Sequence, residues 1–158
     1  MQYSQKYSLV QFFQQIDEGE SFSMYEWHLH TTLADVFAVN RTDALMADLQ
    51  EFADSQPYAA SYIEGETVLG ETPVWLIHPT QELRDIHLAV VDILEKHGAI
   101  FNTPAFTRDG YIPHITKQVD GIMNDGDKVI VNTFSLVDMF PEGDWQVRKV
   151  IRNFYPNV

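Results

Sequence analysis

An α+β fold built on antiparallel strands is what this sequence predicts, and three observations carry the prediction. From Met24 to Val39, Trp27, Leu29 and Leu33 alternate with His28, His30 and Thr32, the period-2 pattern of a strand with one buried face. Two other segments repeat their apolar residues at helical spacing. The remaining β-rich runs are paired around Gly- and Pro-containing turns, an order that a strictly alternating parallel sheet would not contain.

Taken in order, Tyr7 to Phe13 is short and β-rich and reads as a strand, with a helix as the rival reading, and is broken by Glu18-Gly19-Glu20-Ser21. The alternating run from Met24 to Val39 follows. A helix then starts at Thr42 or Asp43, either of which can cap it. It carries Leu45, Leu49, Phe52 and Ala53 on one face and ends near Ser55-Gln56-Pro57. Tyr58 to Leu69 and Val74 to Ile77 read as two strands separated by Gly70-Glu71-Thr72-Pro73. The second helix has Thr80 as its cap, an apolar stripe of Leu83, Ile86, Val90 and Leu94, and Gly98 as its stop. A polar loop from Asn102 to Gly110 leads into a strand from Tyr111 to Val119, and Gly121 to Asp127 is turn-rich. Lys128 to Phe140 and Trp145 to Phe154 close the chain as strands around Pro141-Glu142-Gly143-Asp144.

Composition narrows the function. The 158 residues, 45% of them hydrophobic, suit one packed domain spanning 1–158. No run approaches the ~20 apolar residues of a bilayer span, and Met1 to Gln5 does not open a signal peptide, so a soluble, cytoplasmic protein is expected. The absence of cysteine excludes disulfides, zinc-thiolate sites, iron–sulfur clusters and a thiol nucleophile. With 10 Lys and Arg against 23 Asp and Glu, the net charge of −13 opposes a long nucleic-acid track. A few of the ten cations could still form one local positive pocket, and a nucleotide partner is expected to be small or a chain end.

Two places put a histidine two residues before a threonine within a predicted strand: His30-Thr31-Thr32 and His114-Ile115-Thr116. Alternation puts each His and its Thr on one face, about 7 Å apart. Cleavage of a phosphodiester needs a base for the attacking oxygen and an acid for the leaving oxygen. Two imidazoles, titrating near about 6.5, can supply both. A threonine hydroxyl can donate to a non-bridging phosphoryl oxygen, where charge builds in the transition state. Nothing in this scheme needs a metal or a cofactor. With six His and ten Thr in the chain, chance gives ~0.4 such triplets. A third triplet, His78-Pro79-Thr80, falls at the start of the second helix, where Thr80 is used as a cap.

The segments HTTL and PHIT, 84 residues apart with a helix, a strand pair and a second helix between them, resemble the paired His-x-Thr/Ser motifs of the 2H phosphoesterase superfamily, which includes the 2'-5' RNA ligase-like proteins and cyclic phosphodiesterases. The similarity in element order covers most of the chain; the two motifs are its specific part. Membership implies a bilobal fold of two related antiparallel-sheet halves, with helices outside and a central cleft. It implies action on 2',3'-cyclic or 2'-5' phosphodiester linkages of nucleotides or RNA ends. It makes His30 and His114 the acid and base, without saying which is which, and Thr32 and Thr116 the phosphate donors. The chain departs from the motif at Lys117, where the family carries an apolar residue.

Two rival readings accompany this one, together with a pair of candidate ligand contacts. The fold could serve as a non-catalytic module that binds a nucleotide or phosphate ligand. His28-Leu29-His30 with His114 offers three imidazoles to a transition metal, although Ala34-Asp35 is a poor match for the Glu such a site would want. Arg108 and Tyr111, just ahead of the second motif, could hold a phosphate or a base, or simply fill a loop edge.

Overall fold

The computed structural model describes residues 5–119 and 121–157. Met1 to Ser4, most of the segment in which no signal peptide was read, lie outside the described residues. Ten strands and two helices follow one another as β1 (Lys6–Phe12), β2 (Ser21–Ser23), β3 (His30–Ala38), α1 (Asp43–Asp54), β4 (Ala59–Leu69), β5 (Thr72–Ile77), α2 (Gln81–Lys96), β6 (Ile100–Phe101), β7 (His114–Thr116), β8 (Lys128–Val131), β9 (Phe134–Asp138) and β10 (Val147–Phe154). The strands pair antiparallel in the order β2-β10-β9-β1-β3-β7-β5-β4-β8, with β6 beside β3. The fold is α+β, as the patterning required.

The sheet has two halves, one ending in β3 and the other beginning with β7, which meet through the pairing of Thr31 with Ile115. One face of the sheet is apolar. Leu9, Leu33, Phe37, Ile63, Ile77 and Ile115 pack there against Leu45, Leu49 and Ala53 of α1 and Leu83, Ile86, Val90 and Leu94 of α2, all buried. Both helix stripes were legible because burial of one face demands apolar residues every three or four positions. Thr80 caps α2 as expected, its hydroxyl accepting the Leu83 N–H at 3.2 Å, and Gly98 ends it with a φ of 79°. Thr42 occupies the cap position of α1 with near-helical dihedrals and makes no side-chain cap bond. Between β4 and β5 the turn is only Gly70-Glu71. The φ of 63° at Gly70 is the geometry of a tight hairpin, so Thr72 and Pro73 already belong to β5.

Among the other strand boundaries that differ from expectation, two have a local reason and a third a long-range partner. β3 begins at His30 rather than near Met24, because the Ser23 hydroxyl accepts the Tyr25 N–H and the Ser23 carbonyl accepts the Glu26 N–H, closing a turn ahead of it. β7 is cut to His114–Thr116, since Pro113 has no N–H to give to a ladder. The run from Lys128 to Phe140 is two strands. At Asn132 and Thr133 both backbone N–H groups donate to Gln11 Oε1, at 3.0 and 2.9 Å, so β8 goes to β4 and β9 to β1 and β10. The loop from Asn102 to Gly110 contains two short 3-10 turns, Pro104–Phe106 and Arg108–Gly110. Among the described residues no helix is long and apolar enough to cross a membrane.

Candidate active site

The seam between the halves places the two motifs side by side. Antiparallel pairing of Thr31 with Ile115 sets His30 opposite Thr116 and Thr32 opposite His114. Directly opposed side chains on one face lie with Cβ atoms about 4.5–5.5 Å apart. Thr31 and Ile115 point the other way and are buried, the Thr31 hydroxyl donating to the His114 carbonyl at 2.8 Å and fixing the register. The four residues singled out in the sequence therefore share one sheet face, each histidine across from the other's threonine.

Two adjoining cavities open on that face. One, of about 530 Å³, includes His30, Thr32 and Thr116 in its lining; the other, of about 350 Å³, includes His114 and the same two threonines. Asp35 and Thr72 also line both, so the two spaces form one cleft. A larger space of about 740 Å³ lies elsewhere, around Gln11, Gln14, Asn132 and Asn153, away from both histidines.

The histidines are held alike. Nδ1 of His30 lies 2.8 Å from the carbonyl of His28, and Nδ1 of His114 lies 2.7 Å from the carbonyl of Ile112, in each case two residues back. A carbonyl only accepts, so Nδ1 carries the hydrogen and Nε2 is left as the proton-exchanging nitrogen. Their surroundings differ. His30 is buried against Trp27, ring centroids 4.4 Å apart, and meets Phe12 edge-on at 5.8 Å. That burial pushes its pKa down to about 4, with His114 and His28 adding to the effect and the His28 carbonyl opposing it. His114 is only partly buried.

The other histidines and the loop residues take structural posts. His28 sits in the turn before β3, its ring 2.7 Å from Gln14 Nε2 and 3.2 Å from Glu20 Oε2, instead of on the strand face of His30. Among the described residues no three His, Cys, Asp or Glu side chains are grouped to hold a metal ion. His87 is buried, with Nδ1 donating to the Leu33 carbonyl at 2.6 Å and Nε2 accepting the Arg108 N–H at 2.8 Å, and it stacks on Tyr111 at 3.9 Å. Tyr111 is buried and donates to the Thr32 carbonyl at 3.0 Å, while Arg108 is ion-paired with Asp92 and Glu95. Lys117 pairs with Glu66 at 2.7 Å over the Trp75 ring, on the face opposite His114. No Lys or Arg among the described residues lines the cleft, so the local positive pocket that ten cations could have made is not there.

Sequence reasoning missed Asp35 as a cleft residue. Its signal was a lone charge in the otherwise apolar run Leu33-Ala34-Asp35-Val36-Phe37.

No protein-family model matches the sequence, and no curated protein is similar to it in sequence. Solved structures are similar in fold. A phosphoesterase structure aligns over 99% of this chain and 100% of its own, at 12% identity and a TM-score of 0.59. Escherichia coli LigT in complex with 3'-AMP aligns over the same shares at 13% identity and a TM-score of 0.58. The chain has the fold of LigT. A second LigT structure, with NADP+, agrees over 99% of this chain and 100% of that one, at 13% identity and a TM-score of 0.56.

Proposed function

We propose that this chain is a phosphodiesterase that acts without a metal on 2',3'-cyclic or 2'-5' linkages of nucleotides or RNA ends, using His30 and His114 as base and acid. The observation that carries the reading is the crossed register, in which two histidines of matching tautomer face two threonine hydroxyls across one cleft. The LigT fold supports the phosphoesterase class, and the 3'-AMP, NADP+ and ATP held in LigT structures support a small nucleotide as the ligand.

The environments divide the roles. With its pKa near 4, His30 is neutral at physiological pH and can take a proton at Nε2 from the attacking water. His114, nearer solvent, is the partner that gives a proton to the leaving oxygen. Attack and departure lie on opposite sides of phosphorus, and the threonine hydroxyls donate to the non-bridging oxygens between them. One P–O bond forms as the other breaks; the proton leaves the water on one histidine and reaches the leaving group from the other, and solvent exchange resets both rings.

Turnover of 2',3'-cyclic nucleotides and of 2'-5' linked dinucleotides, measured with and without chelator, tests this. Activity should survive chelation, and His30→Ala and His114→Ala should each lower kcat about 10²–10⁴-fold with the fold intact. Ordinary activity in either variant would remove the mechanism. Tight nucleotide binding without turnover of any diester would make the protein a binding module.

A further inference from the structure

Between the two histidines stands a side chain that the acid/base scheme does not use. Asp35 lines both cavities, beside Thr32, Thr72 and Thr116, at the point where the two spaces join. Its position there is built by the strand. Strict alternation from His30 and Thr32 would turn residue 34 to the cleft and residue 35 to the core. Against β1, however, Val10 pairs with Thr32, Leu9 with Ala34 and Tyr7 with Phe37, so β3 carries an extra residue twice within five positions. Leu33 and Ala34 are both buried as a result, and Asp35 and Val36 both reach the cleft. The carboxylate Oδ1 accepts the N–H of Val36, the next residue of β3, at 2.8 Å, a bond that holds it in place.

Histidines aside, Asp35 is the one ionisable charge among the described cleft residues, apart from the phenol of Tyr25 and the buried Tyr111, and no Lys or Arg offsets it. A ligand whose phosphorus lies among the histidines and threonines must share a narrow space with this carboxylate. Each negative charge beyond the first adds repulsion. A phosphodiester carries one negative charge. A phosphomonoester carries nearly two at and above neutral pH, its second pKa being about 6.

Resting on the phosphodiester reading of the cleft, we infer that Asp35 is a specificity-determining residue that admits singly charged diesters and rejects phosphomonoesters. The same residue favours release of the product. Opening a cyclic diester turns a monoanion into a dianionic monoester, and the carboxylate that tolerated the substrate expels the product.

Two ligands of nearly equal size separate charge from shape: 2'-deoxyadenosine 3'-monophosphate and its methyl ester, which lack the 2'-hydroxyl needed for cyclisation. Their affinities are measured by calorimetry at about pH 8, where the monoester is a dianion. At low salt the wild-type protein should bind the ester at least ~10-fold more tightly, and Asp35→Asn, which keeps the shape and the acceptor for Val36, should bring the two within roughly threefold. In the wild-type protein alone, about 0.5 M salt should shrink the preference, a check that needs no variant. Equal or tighter binding of the monoester, an unchanged preference in Asp35→Asn, or binding of neither ligand would overturn the assignment. Preference in binding with no turnover of any diester would leave the selection standing and remove the catalytic reading. Turnover without the preference would do the reverse.

Discussion

At the level of single residues, the two histidines differ in what covers them. Trp27 lies against the His30 ring, and the Arg148 guanidinium lies 5.9 Å from the Trp27 ring centroid while donating to the carbonyls of Met139, Trp145 and Val147. The buried arginine packs against the indole, and the indole covers one side of the imidazole. Removing the cover should return His30 toward its ordinary value. Trp27→Leu is expected to move the acid limb of the kcat/KM pH profile upward by about one unit or more, since the base becomes protonated at a higher pH. An acid limb in the same place would show that Trp27 does not set the basicity of His30. Thr32 and Thr116 need no such support, because the register alone puts each across from a histidine.

At the level of elements, the three His-x-Thr triplets test how far spacing alone can be read. Thr80 of the third copy caps α2, and His78 pairs with Glu64 at 3.0 Å and stacks on Tyr62, outside the cleft. Thr80→Ala should therefore cost about 1 kcal/mol of stability, the usual price of a lost N-cap, and leave kcat unchanged. A drop in kcat beyond what unfolding explains would bring the third triplet into the site. Strand context separated this copy from the other two because a proline and a following helical stripe mark a helix start. The helices and the His–Thr strands were legible since their periodicity reports the buried face directly. Strand ends were not, because they depend on long-range partners such as Gln11, which takes the N–H groups of Asn132 and Thr133 from across the sheet. Asp35 escaped for a related reason: its lone charge in the run from Leu33 to Phe37 is visible in the sequence, but the bulges that turn it to the cleft are set by the pairing with β1.

At the level of the whole molecule, the buried imidazoles link folding to pH. His30 is held near pKa 4 chiefly by burial, and His87 is also lowered, first by burial and against the pull of the Leu33 carbonyl. Above about pH 6.5 both rings are neutral whether the chain is folded or unfolded, so they add no pH dependence there. As pH falls below that value the unfolded chain takes up protons that folded His30 refuses, and the unfolded state is favoured until folded His30 itself titrates near 4. Stability carried by the neutral ring is therefore complete above about pH 6.5 and is lost between there and pH 4, by up to roughly 3 kcal/mol for His30 alone. Denaturant unfolding across this range should show the wild-type protein losing more stability than His30→Asn, which keeps a donor for the His28 carbonyl and does not titrate. His87 is present in both proteins, so the difference isolates the cleft histidine. Parallel curves for the two would mean that His30 titrates in the folded protein as it does in water. Its assignment as the base that is neutral at physiological pH would then lose its physical support.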